Sequence, residues 1–343
     1  MTQKPTILLG MPTDNLIYQT IEIALKHHGF EVISAIQPGQ DFHYPSAFHR
    51  LKIKFQQVIL SDKYAKDKLK SKILLDHVEK QIARYGHVDY ALFIRGDIYT
   101  QDFLQTIKHH VRHKMVNYQW DGLSRFSKIH QYIRLFDKFY VFDPADLSHQ
   151  PNLLPATNFY FDHIPTISAD LKHDLYFVGL HYPNRVEEIS TFAKAAEKLG
   201  LSLDFHIGSL DISSDILSKQ YPDNIQTFQG VRSFADNLHA AQTQAKVLVD
   251  FKTPVHNGLS FRPFEALGYR KKLITTNTDI TRYDFYHPDN IFVWRSNDLE
   301  GLKTFMDKPY HEMPSEIYEK YSFGNWIRYI LDIHPHQPIG LPK

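Results

Sequence analysis

The chain has 343 residues, of which 43% are hydrophobic and 22% charged, with a formal net charge of +1 and no cysteine. That balance describes an ordinary globular protein long enough for two domains. It argues against a chain built to coat nucleic acid, and the absence of thiols excludes disulfides, thiolate metal sites and cysteine nucleophiles. No stretch nears the ~18 consecutive apolar residues that a membrane span needs. The apolar run at residues 7–9 is too short for the core of a signal peptide, so the expectation is a protein kept in the cytosol.

Strand and helix signals alternate from the start. Residues 7–9 read as a strand, 15–28 as a helix with Ile17, Ile21, Ala24 and Leu25 on one face, and 31–35 as a second strand. The glycine pattern of a dinucleotide fingerprint is absent from this β-α-β unit. Residues 45–85 read as one or two helices rich in lysine. From Arg50 to Lys72 the local charge is six positive, with only Asp62 and Asp67 opposing. Such a run is either a solvated helix face or a patch that meets an anionic membrane or an acidic glycan.

Three strands follow, at residues 88–94, 115–120 and 139–142, and each delivers an aspartate just past its end: Asp97, Asp121 and Asp143. The carboxyl edge of a parallel sheet is where ligands bind, but aspartates also cap the helices that start there. Helices are expected at 100–113 and 129–135. Prolines at 144, 151, 155 and 165 then break the helical texture, and a domain boundary is expected around residues 163–172.

The second half restarts with a strand at 175–178 and Gly179, where a backbone can approach a ligand closely. Arg185 opens the next helix, at 186–199. Strands at 203–207 and 225–228 and a helix from Ser233 lead to the central stretch, residues 246–277. There a buried strand at 247–251 is followed by Lys252, a loop with Pro254, Asn257, Gly258 and Leu259, and Ser260 in a capping position. Pro263 falls in the first turn of the following helix, where a missing N–H costs nothing. The free N–H groups and positive dipole end of such a helix suit a phosphate. Glu265, one turn in, could hold the hydroxyls of a ribose, or it could pair with Arg262 at i, i+3. A further strand at 290–294, a helix at 299–306 and a closing helix at 315–333 complete the chain. The histidine clusters at 27–28, 109–113 and 334–336 lack neighbouring acidic ligands and are read as solvated, so no metal site is expected.

The order of the central stretch, HNGLSFRPFEALGYRKKLITTN and then YDFYHPDNIFVW, resembles the C-terminal half of bacterial GT-B-type glycosyltransferases of the lipopolysaccharide and capsular polysaccharide biosynthesis group. LFIRGD, YQWDGLSR, FDKFYVFDPADL and YSFGNWIRYIL are similar to the same group. The resemblance implies an α/β fold of two Rossmann-like domains facing across a cleft, at residues 1–165 and 166–314. Residues 315–343, with Trp326, would cross back to the first domain. It also implies transfer of a sugar from a nucleotide-diphosphate donor, UDP favoured, to a glycan or lipid-linked glycan acceptor.

In that group two glutamates eight residues apart lie near the donor. The second, which binds the ribose, falls on Glu265; the first falls on Asn257, which carries no charge. Arg185 and Lys252 match the phosphate-binding cations, and Gln229 and Gly230 lie in the segment that meets the nucleobase. No Asp-x-Asp occurs, which disfavours a metal-dependent transferase and leaves cations and a helix cap to stabilise the leaving diphosphate. No further cofactor is expected. If the reaction inverts the anomeric centre, the base is expected from Asp121, Asp97 or Asp14, in that order, with His43 behind them. A nucleotide-sugar epimerase and a non-catalytic binding protein of the same fold are the alternatives.

Overall fold

A computed structural model describes residues 4–39, 42–59, 61, 65–167, 170–253, 255–295 and 299–342. Asp62, Lys63 and Pro254 lie outside these. The chain divides into two compact units, Met1–Ala156 with Ile327–Pro335 and Thr157–Trp326 with His336–Lys343. The first division follows Ala156, ahead of the expected residues 163–172.

Unit 1 is a six-stranded parallel sheet in the order β2-β1-β3-β4-β5-β6. Its strands are β1 (Thr6–Pro12), β2 (Glu31–Gln37), β3 (Val88–Ile94), β4 (Val111–Gln119), β5 (Lys138–Val141) and β6 (Leu153–Pro155). Every residue of β1 is buried, as expected of a strand covered on both faces. The helices α1 (Ile17–His27), α2 (Ala47–Ile59), α3 (Ala65–Tyr85) and α4 (Gln101–His110) connect the early strands. Leu8, Ile33, Phe93, Tyr99, Phe103, Met115 and Phe139 form one apolar cluster. The expected helix at 129–135 is two short 3-10 turns. β6 lies in the proline-punctuated stretch, where no strand was expected.

Unit 2 is a second six-stranded parallel sheet, in the order β12-β11-β10-β7-β8-β9. The strands are β7 (His173–Leu180), β8 (Leu203–Ser209), β9 (Ile225–Gln229), β10 (Ala245–Asp250), β11 (Lys272–Thr275) and β12 (Ile291–Val293). The helices are α5 (Val186–Lys198), α6 (Ser214–Ser218), α7 (Phe234–Thr243), α8 (Phe261–Gly268), α9 (Leu299–Asp307), α10 (Ser315–Lys320) and α11 (Phe323–Leu331). Phe177, Phe192, Phe205, Phe251 and Trp294 interlock at edge-to-face and stacked distances in its core.

The closing helix is broken at Tyr321-Ser322 into α10 and α11. Trp326, expected to cross back to the first domain, belongs to unit 2. Its indole N–H donates to the Thr157 carbonyl at 3.0 Å, and its ring packs on Phe159. From Ile327 the chain belongs to unit 1, where the Tyr329 hydroxyl donates to the Pro155 carbonyl at 2.8 Å.

Each sheet reverses its strand order once, between β1 and β3 in unit 1 and between β7 and β10 in unit 2. In open parallel sheets the crevice beyond such a reversal, at the carboxyl ends of the strands, is the place for a ligand.

Candidate functional site

At the reversal in unit 2 stands Arg185, in the turn between β7 and α5. One guanidinium nitrogen donates to the Leu180 carbonyl at 2.8 Å, at the end of β7; another donates to the Phe251 carbonyl at 3.1 Å, just past β10. The group lies over the Tyr182 ring at 4.7 Å. It is only 6% exposed and has no ion pair among the described residues, and its Nε–H finds no acceptor there. Burial lowers its pKa, while the charge of Asp250 works the other way. Its hydrogen bonds go to carbonyls, while the carboxylates of Asp250 and Glu188 stand near enough for their charge to act on it.

The elements around it were expected to hold a phosphate and a ribose, and the structure alters that picture. Ser260 does not cap α8 with its side chain; its hydroxyl donates to Asp250 Oδ1 at 2.8 Å. Thr275 donates to the other oxygen of Asp250 at 3.0 Å. A carboxylate at the end of β10 therefore already stands beside the cap residue of α8, and a phosphate directly on Ser260 would meet like charge. Lys252, expected as a phosphate cation, pairs with Asp279 at 2.8 Å.

Glu265 is 4% exposed and accepts a hydrogen bond from Arg262 at 2.7 Å. Burial raises its pKa, opposed by Arg262 and reinforced by Asp250. Of its two expected roles this geometry favours the pair at i, i+3; a carboxylate sealed in packing presents no open face to a pentose. Arg262 is engaged in turn, with its guanidinium 5.4 Å from the Tyr176 ring.

The other donor-site candidates are spread along the same edge. Gly179 is the next-to-last residue of β7, and a side chain there would strike Phe177. Gln229 is exposed at the end of β9, and Gly230, at φ +105°, donates its N–H to the Ser209 carbonyl. Asn257 is exposed, whereas Gly258 and Leu259 are buried; the Leu259 carbonyl accepts from Asn158.

In unit 1 the three aspartates do converge, but unequally. Asp97 is held by the fork of Arg95, at 3.0 and 2.8 Å, and by Gln119 at 3.1 Å. The N–H of Gly96 donates to the Asn117 side chain at 2.8 Å, an approach so close that a β-carbon on Gly96 would collide with it. Asp121 receives Arg125 at 2.8 Å and Arg95 at 3.4 Å on its two oxygens. Arg95 stacks on Phe126, 3.3 Å from the ring centre. Asp14 follows β1 in an exposed turn, yet its carboxyl is recessed. That burial raises its pKa, with Arg95 pulling it down and Asp121 pushing it up. Asp97 and Asp121 are held by guanidinium groups, whereas Asp14 makes no ion pair among the described residues. His43 is exposed. Asp143 accepts from the N–H of Ala145, so it caps.

Sequence reasoning did not single out Arg95, Arg125, Phe126 or Asp250. Arg95 and Arg125 stand within the LFIRGD and YQWDGLSR phrases, and Asp250 inside the apolar run of β10, where a lone charge was itself a signal. An acid also accompanies the last histidine cluster, since Asp332 lies 3.7 Å from His334. It is already paired with Lys114 at 2.7 Å and Lys138 at 3.0 Å, and these lysines hold its carboxyl well below the usual range.

Two Rossmann-like α/β units of the GT-B class are what the fold comprises. No protein-family model matches the chain, and no curated protein matches it. Among solved structures it is similar to a putative UDP-N-acetylglucosamine 2-epimerase from Listeria monocytogenes, with a TM-score of 0.51 at 10% identity, covering 98% of this chain and 100% of that one. It is also similar to the UDP-GlcNAc 2-epimerase from Neisseria meningitidis bound to UDP-GlcNAc, with a TM-score of 0.48 at 9% identity over 95% and 98% of the two chains. Arabidopsis thaliana UGT89C1 complexed with UDP-L-rhamnose follows, with a TM-score of 0.44 at 11% identity, covering 94% of each. At these identities the likeness shows the fold alone.

Proposed function

We propose that the protein is a cytosolic glycosyltransferase that takes a sugar from a nucleotide-diphosphate donor, UDP favoured, and passes it to a bacterial surface glycan, lipid-linked during its assembly. The observation that carries this reading is Arg185, a buried guanidinium at the strand reversal of unit 2 that makes no direct ion pair among the described residues. A cation in that position attracts the diphosphate and stabilises the charge that builds on it as the glycosidic bond breaks. The diphosphate lies against the Arg185 guanidinium at the β7 and β10 ends, with Gln229 and Gly230 toward the base, and its charge adds to that of Asp250 beside the same guanidinium. No metal is assigned a part in this scheme. Asp14 takes the acceptor proton if the configuration inverts.

Thermal denaturation with UDP, GDP, ADP, CDP and dTDP tests the donor half. One of them raises the melting temperature of the wild type, and Arg185→Met abolishes that rise. No shift with any of them would remove the donor from the scheme.

The full-length likeness to a putative UDP-N-acetylglucosamine 2-epimerase supports a second reading, interconversion of the donor sugar without an acceptor. Incubation with UDP-sugar alone separates the two. A transferase releases UDP only when acceptor is added, whereas an epimerase changes the sugar without it.

A further inference from the structure

The basic stretch after residue 50 carries more than charge. Helix α2 turns its apolar side outward: Phe48 is 71% exposed, Leu51 67%, Phe55 57%, Val58 67% and Ile59 63%, while Ile53 is buried at 5%. At about 100° per residue, the five exposed side chains fall within an arc about 100° wide, with Ile53 on the opposite side. Lys52 and Lys54, both exposed, project just beyond the two edges of that arc. Arg50, Lys66 and Lys72 continue the positive charge; Lys70 is spent on the Pro38 and Gly39 carbonyls.

An amphipathic helix normally buries this face, and a contiguous apolar surface rimmed by charge marks a contact site. The rim selects the occupant. A second copy docking face to face about a two-fold axis would bring the lysines of both helices together, a like-charge clash. An anionic bilayer satisfies both parts at once, because the aromatic and aliphatic groups enter the headgroup boundary while the lysine stems reach up to the phosphates. Among the described residues no helix is long and apolar enough to cross a membrane. We infer that α2 is an interfacial helix that lays the protein against anionic lipid. This concerns α2 alone and stands whether or not the protein transfers a sugar.

The test is cosedimentation of the purified protein with phosphatidylcholine–phosphatidylglycerol vesicles and with pure phosphatidylcholine. Binding is expected to the anionic vesicles only and to weaken with salt. Phe48→Ser with Phe55→Ser lowers the partition coefficient more than ~10-fold, since each ring forfeits most of its transfer free energy. Lys52→Gln with Lys54→Gln lowers it roughly 30-fold, from about a factor of five for each cation near the surface. Both rings are exposed, so the melting temperature should not move. Equal binding of wild type and the serine variant, or no binding of the wild type, overturns the inference. So does a wild-type dimer in gel filtration that the serine variant breaks, which would assign the arc to a second copy.

Discussion

Arg185→Met removes the guanidinium from the strand reversal of unit 2 while keeping most of the length of its stem. The carbonyls of Leu180 and Phe251 then lose their donors in a place where the arginine itself is only 6% exposed. Hydrogen bonds from a charged group are worth about 1.5–3 kcal/mol each, and a buried acceptor left unpaired costs about 1–3 kcal/mol. Against that, the variant no longer desolvates a charge, the effect that lowers the pKa of Arg185. The net expectation is a loss of about 2–4 kcal/mol, read as a lower urea midpoint at unchanged slope. Tryptophan fluorescence serves as the probe, because two of the three indoles, Trp294 and Trp326, are buried in unit 2. Arg185→Lys restores one donor but cannot span both carbonyls, so it recovers about half of the loss. A Met variant within about 0.5 kcal/mol of wild type would refute the clamp, since surface substitutions behave that way.

Other expectations follow from the same contacts. Glu265→Gln keeps an oxygen that can accept from Arg262 but cannot ionise, so it isolates the effect of the buried charge. Because the folded pKa of Glu265 is raised, its contribution favours folding below the unfolded value and fades as pH rises through the folded one. The glutamine variant should therefore lose that alkaline-going decline in urea titrations across the acidic range; an unchanged pH profile would refute it. Asp14→Asn should cut acceptor-dependent transfer about 10²–10⁴-fold while leaving the UDP-induced thermal shift intact. The wild-type rate should climb with pH through a midpoint above the ordinary aspartate value, because the base must be ionised. A midpoint at or below that value would argue against Asp14. Gly268→Ala would put a β-carbon into the Tyr160 ring and should cost about 1–3 kcal/mol by overpacking, measurable by calorimetry.

Much of the architecture could be read from residue order. β1, β3, β7 and β10 each contain a short apolar run, and such runs point to buried strands without tertiary information. Caps were legible where a side chain acts locally, as with Thr100 accepting from Phe103 and Ser233 from Asp236. β6 was not, because three residues ending in Pro155 make a strand only by pairing with β5. The split of the closing helix was also invisible. Tyr321 and Ser322 have no breaking propensity, and the bend follows the pairing of Tyr160 with the Tyr321 carbonyl and of Phe323 with the Tyr160 carbonyl.

The site was legible in its residue types more than in their partners. The spacing of Arg262 and Glu265 allowed an ion pair or a ribose contact, and only the burial of Glu265 favours the pair. Which of Asp14, Asp97 and Asp121 is free to move a proton depends on Arg95 and Arg125, whose reach crosses from strand to strand. The outward face of α2 was hidden for the opposite reason, since an apolar stripe at helical spacing normally marks a core contact.

The central claim is that a nucleotide's diphosphate lies at the carboxyl ends of β7 and β10, against Arg185. A crystal structure with bound UDP measures this directly. The account predicts diphosphate oxygens within hydrogen-bonding distance of the Arg185 guanidinium; UDP bound elsewhere, with Arg185 still holding only the Leu180 and Phe251 carbonyls, would contradict it.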